Sequence, residues 1–419
     1  MSTNQLSSTA RRAEPRTWRR AGRRPKPITL LSFGHACVDV YQGAVAALVP
    51  FFVSERAFTY AAASGLVLAA SVLSSVVQPL FGALTDKWPL PWLLPVSTLV
   101  GGAGVALAGV FDAYALTLAA VAVSGIGVAA YHPEAARVAR NAAGRGSHTA
   151  MGWFSLGGNL GFATAPLMVS AVIATGGLRA SPLLVVPALA GAALCVAALR
   201  GMTAPAGTEP APDAATSAAG RPSPEPAPAR DDWASFAKLS GAIVCRSIVF
   251  VGLSAFLSLY VPQRAGGGEV AGTAALFVLY LGGAVGTVTG GRLATRYGRI
   301  PVVQWSYALT VLAVAGVVLV PGPLLYVCVA LASAGLYVPF SLHITLGQDY
   351  LPRRVGTASG VTLGLTVSIG GVASPLIGAL ADATSLQTAL APLIALPALG
   401  WLLLRTLDEP ELPEAVTTA

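Results

Sequence analysis

Residues 82–87 read GALTDK, and residues 291–296 read GRLATR, 209 positions further along the chain. The same offset carries Gly161 onto Gly370 and Pro166 onto Pro375, within the stretches GGNLGFATAP (157–166) and TVSIGGVASP (366–375). Loop signals and apolar interiors that coincide at a single offset mark a chain built from two copies of one unit.

On either side of these segments the chain is uniformly oily. It has 419 residues, 54% of them hydrophobic and only 11% charged, with a mean hydropathy of +0.69, where a soluble domain carries about 25% charged residues. So few charges cannot cover a water-facing surface, which leaves a bilayer as the solvent for the outward side chains. Twelve apolar stretches are each long enough to cross a hydrocarbon core of roughly 30 Å. They run over 29–53, 61–84, 91–111, 113–131, 150–175 and 181–200, then 236–261, 271–292, 300–320, 323–347, 356–381 and 386–405. The fold expected is all-α and integral to the membrane: twelve transmembrane helices in two pseudo-symmetric six-helix bundles. Residues 1–28 form a basic arm, 29–200 the first bundle, 236–406 the second and 407–419 a tail. Residues 201–235 between the bundles are rich in Ala, Pro, Glu and Ser, a composition too poor in apolar surface to fold, and are expected to be a flexible linker.

Charge placement sets the expected orientation. With a cytoplasmic N-terminus, every one of the 26 Lys and Arg falls on the inner side except Arg56, Arg179, Arg264 and the intramembrane Arg246. By the positive-inside rule both termini are cytoplasmic. The net charge of +8 then answers to anionic lipid headgroups and needs no nucleic acid. The N-terminal arm resembles the charged start of a signal peptide, but no small-residue cleavage site follows the first span, which is therefore read as retained. Cys37, Cys195, Cys245 and Cys328 all sit in apolar stretches and read as small buried hydrophobes.

Charged groups in the hydrocarbon layer are costly and mark function. In the first span His35, Asp39 and Gln42 are spaced by four and three residues, which puts them on one helix face. A carboxylate with an imidazole one turn away is able to hold and release a proton, so His35 and Asp39 read as a proton-coupling pair, and the alternative is a pair that fixes packing. Arg246 in the seventh span falls opposite position 37 under the 209 offset, at the depth of that polar face. Two roles stand for it against that of a snorkelling arginine: bidentate binding of an anion, or pairing with Asp39. Gln42 and His343 join it as substrate-binding candidates. At the end of the fourth span His132, Pro133 and Glu134 precede Arg137 and Arg140. Pro133 interrupts helical hydrogen bonding, Glu134 is placed to pair with Arg137, and the group reads as a cytoplasmic gate. Asp86 and Lys87 read as a loop lock on one access state.

GxLxD[KR], carried here by Gly82, Leu84, Asp86 and Lys87, resembles the loop signature of the major facilitator superfamily. More narrowly, GHACVDVYQG (34–43), QPLFGALTDKWPLPWLLP (78–95), AYHPEAARVAR (130–140) and QDYLPRRVGTASG (348–360) resemble the fosmidomycin-resistance family of drug exporters. The second loop copy departs from the signature, with Thr295 where an Asp is usual. The resemblance implies a proton-coupled antiporter in the cell inner membrane that expels a small drug or an anionic metabolite such as a phosphonate antibiotic, works as a monomer and uses no cofactor. The other reading on the same fold is a facilitator or importer of sugars or organic acids. No GxSxG, GK[ST] phosphate loop, HExxH or metal-ligand spacing occurs, so neither an enzyme nor an ATP-driven pump is expected.

Overall fold

The computed structural model describes residues 27–143, 148–203 and 230–410. Most of the basic arm, Arg145, most of the inter-bundle linker and the last nine residues lie outside them.

The first bundle contains α1 (Pro27–Arg56), α2 (Tyr60–Lys87), α3 (Leu93–Ala108), α4 (Tyr114–Ala143) and α5 (His148–Ile173), followed by a 3-10 stretch, Gly177–Val185, that leads into α6 (Val186–Thr203). The second contains α7 (Trp233–Ala265), α8 (Gly268–Tyr297), α9 (Arg299–Leu319), α10 (Leu324–Tyr337) with α11 (Phe340–Tyr350), α12 (Val355–Ala383), and α13 (Leu386–Leu390) leading through a 3-10 turn to α14 (Ala395–Leu404). Shifted by 209, α1 to α6 fall on α7, α8, α9, the α10–α11 pair, α12 and α14 in turn. Because the helices alternate in direction, one face of the molecule, here the linker face, carries the starts of α1 and α7 and the ends of α6 and α14. The opposite face is the far face.

Eleven of the described helical segments are long and apolar enough to cross a membrane. The twelfth expected span, α3, has 16 residues, about 24 Å of helix, and its Gly101 and Gly104 pack on Val128 and Ser124 of α4. Side chains such as Leu312 and Leu376, 73% and 72% exposed, form the oily exterior that only lipid covers at low cost.

Three expectations change in detail. Thr203 and Trp233 lie in helices, so α6 and α7 reach into the range assigned to the linker. At the start of α7 the Asp232 side chain accepts the Ser235 N–H at 3.0 Å, an N-cap that begins the helix three residues early. That hydrogen bonding from Ser235 also holds the Asp232 carboxyl below its usual pKa. Finally, Pro133 does not end α4, which runs on to Ala143. One missing N–H is tolerated there, whereas Pro339, about one turn before the equivalent position in the second bundle, separates α10 from α11.

The bundles meet along α2 with α12 and α5 with α8. At the far face a Cβ added at Gly378 of α12 would lie 2.7 Å from Ser64 Oγ and from Tyr60 O of α2, whereas one at Gly364 or Gly360, toward the linker face, would meet nothing within 4 Å among the described residues. The pair is thus in close contact at the far face.

Candidate functional site

Asp39 is buried in the first bundle between two imidazoles. His35 Nε2 lies 3.2 Å from its Oδ2 and His132 Nε2 lies 3.1 Å from its Oδ1. Both rings are fixed by backbone carbonyls: His35 Nδ1–H donates to Phe154 O of α5 at 2.9 Å and His132 Nδ1–H to Val128 O of α4 at 2.7 Å. A carbonyl only accepts, so each Nδ1 carries a proton and each Nε2 faces the carboxylate. When the rings are neutral, two lone pairs point at an anion, and a proton between them removes the repulsion. At 3.1 and 3.2 Å each imidazole Nε2 is close enough to the carboxylate to share a proton with it. The His35 ring stacks on Phe154, with centroids 4.2 Å apart. Gly158 lets α5 approach, since a Cβ there would stand 2.4 Å from Asp39 Oδ2.

Chain positions 39 and 132 are joined only by packing of α1 on α4. His132, expected at a gate with Glu134, instead completes the Asp39 cluster. Two residues, just over half a helical turn, separate the two roles: His132 turns toward α1, while Glu134 is fully buried and accepts Arg137 Nε–H at 2.9 Å, three residues away. That pair stays within α4, and Arg140 is exposed. Lys87 lies 4.5 Å over the Trp88 ring, and the Asp86 side chain is outside the described residues. None of the described gate candidates bridges the two bundles here.

At a matching depth the second bundle holds Arg246, opposite position 37 under the 209 offset. It is 4% exposed, and Nη1 donates to Leu336 O of α10 at 3.0 Å. Nε and Nη2 have no hydrogen-bond partner among the described residues. The guanidinium carbon lies 5.6 Å over the Phe340 ring, a cation–π contact. His343 is fully enclosed against Tyr307, with ring centroids 5.8 Å apart, and neither of its nitrogens has a partner among the described residues. Of the two readings of Arg246, the Asp39 pair is not formed in this structure: both carboxylate oxygens face imidazoles of the first bundle, and the guanidinium is drawn toward α10.

Between the two clusters, at mid-depth, is a cavity of about 120 Å³ walled by both bundles, with Tyr41, Gln42, Phe162, Phe250, Ser254 and Tyr280 among its lining. Gln42 is the expected substrate-face residue that lines it. No charged side chain does so among the described residues. Asp39 and Arg246 each sit about one turn toward the linker face from a lining residue, Gln42 and Phe250 respectively.

The cross-bundle latch was not expected from the sequence. At the far face the Asp382 carboxylate, at the end of α12, accepts the N–H groups of Tyr60 and Ala61 at 2.8 and 2.9 Å. Thr59 takes the next two, Ala62 N to its Oγ1 at 3.1 Å and Ala63 N to its carbonyl at 2.9 Å. The three free N–H groups of the first turn of α2, those of Tyr60, Ala61 and Ala62, are thus satisfied, two of them by the other bundle.

Residues 31–375 match the Major Facilitator Superfamily. The fosmidomycin resistance protein of Escherichia coli (strain K12) is 30% identical over 379 residues, covering 89% of this chain and 90% of its own. An uncharacterized MFS-type transporter of Bacillus subtilis (strain 168), YfnC, is 28% identical over 388 residues with the same coverage. Among solved structures, a bacterial homolog of the human lysosomal transporter Spinster, in an inward-facing and occupied conformation, superposes with a TM-score of 0.73 at 14% identity, covering 94% of this chain and 100% of that one. The repeat, the paired bundles and the match over 31–375 agree: this chain belongs to the Major Facilitator Superfamily, and is a multi-pass secondary transporter of small molecules rather than an enzyme.

Proposed function

We propose that the chain is a proton-coupled exporter of a small organic anion or drug, exchanging it for protons by alternating access in the cell membrane, with the linker face and both termini cytoplasmic. The observation that carries this reading is the division of labour across the cavity. An anion clasped by two tautomer-fixed imidazoles lies on one bundle, and a buried guanidinium with two unpartnered nitrogens lies on the other.

An uncompensated buried charge is expensive, so an anion entering the cavity is drawn to Arg246. Protons entering at Asp39 relieve the carboxylate on the opposite wall. The two events act on different bundles, and each biases how the bundles rock against one another. The latch at Asp382 and the open spacing at Gly360 and Gly364 support a resting state closed outside and open to the cytoplasm, the state in which an exporter loads. The similarity to the E. coli fosmidomycin resistance protein supports a drug or phosphonate as cargo, and the excess of Lys and Arg on the linker side supports the orientation.

Proteoliposomes with an imposed pH gradient test the reading. Asp39→Asn is expected to abolish gradient-driven export while substrate exchange persists. Export that ignores the gradient in the unaltered protein would instead indicate a facilitator, and unchanged gradient-driven export by Asp39→Asn would remove Asp39 from the coupling role.

A further inference from the structure

Arg246 and Phe250 are four residues apart on α7 and so share a face, one turn apart. Phe250 lines the cavity, and across from it on the other bundle is Phe162. The two rings are near parallel, with an interplanar angle of 28° and centroids 6.3 Å apart. Two stacking contacts of about 3.5 Å each would need roughly 7 Å, so a slight parting of the bundles admits one flat ring between them. Tyr280 closes one side, 4.3 Å from Phe162 and 6.2 Å from Phe250 by centroid. The cavity, about 120 Å³, is somewhat smaller than the apolar cavity of about 150 Å³ that takes up benzene, so seating a ring calls for that same parting.

Resting on the anion-exporter reading above, we propose that the cargo is a single-ring organic anion, its ring held between Phe162 and Phe250 beside Tyr280 and its charge reaching Arg246 one turn toward the cytoplasm. A small, purely polar anion leaves the aromatic walls unused and the charge in an apolar chamber without a fitted body. A ring gripped by one phenylalanine from each bundle also ties the bundles together, so occupancy itself favours the closed intermediate through which alternating access passes.

Calorimetric titration of the purified full chain with phenylphosphonate, methylphosphonate and benzyl alcohol tests the proposal. Phenylphosphonate is expected to bind at least about tenfold more tightly than methylphosphonate, the scale that burying a ring contributes. In Phe250→Leu, chosen to keep the core filled, and in Phe162→Leu, that ratio is expected to fall toward one. In Arg246→Gln both phosphonates weaken while the ratio survives. Equal affinity for the two phosphonates, absence of binding by either, or a Phe250→Leu protein that keeps the full preference would overturn the ring seat. Benzyl alcohol binding as tightly as phenylphosphonate would support the ring seat and count against the anion reading of Arg246.

Discussion

The two bundles are copies in backbone and opposites in chemistry. At matching depths the first holds three ionisable groups that face one another, Asp39 with His35 and His132, while the second buries Arg246 and His343, whose nitrogens, one guanidinium bond to Leu336 O apart, have no hydrogen-bond partner among the described residues. Self-contained charge suits a site that exchanges only protons. Charge left wanting suits a site completed by cargo. The duplication supplied the frame twice, and in the function proposed above side chains at a few positions make one half a proton site and the other a receptor.

The sharpest way to break this contrast is to neutralise each half. Asp39→Leu leaves two imidazoles buried without their anion, and thermal unfolding in detergent should show a loss of about 3 kcal/mol. Arg246→Leu removes a charge that has no counter-ion, and the same measurement should show stability held or raised by about 1 kcal/mol, with anion binding lost. Destabilisation of similar size in both would mean that Arg246 is as well satisfied as Asp39, and the contrast would fail. A smaller effect is expected from Gly158→Ala, whose Cβ would stand 2.4 Å from Asp39 Oδ2. Overpacking there should cost about 2 kcal/mol and slow proton-driven transport, whereas Gly364→Ala, facing open space, should change neither. Smallest is the latch: Asp382→Ala removes a shared cap worth about 1 kcal/mol. That shifts the ratio of far-face-closed to far-face-open molecules about fivefold, readable as a longer spin-label distance between the far ends of α2 and α12.

Much of the frame was legible in the sequence because it rests on local signals. Span length, the 209 offset between GALTDK and GRLATR, and the helix face shared by His35, Asp39 and Gln42 need no tertiary information. The companionship of His132 and Asp39 was not legible, since it arises where α4 crosses α1, and half a turn of helix decides whether a side chain there faces a gate or a partner. Pro133 and Pro339 make the same point about backbone. Both residues lack the N–H that a helix uses, yet one sits within an unbroken α4 and the other parts α10 from α11, an outcome set by surrounding packing. The aromatic pair Phe162 and Phe250 reads as ordinary core in sequence and gains meaning only from being placed on opposite walls.

The fastening at position 382 is lopsided. Its acceptor is a side chain, but its donors are main-chain amides of Tyr60 and Ala61, which no ordinary replacement at those two residues deletes except proline. Selection, or an engineer, therefore has one direct handle for weakening this contact, and it lies wholly in the second half of the chain.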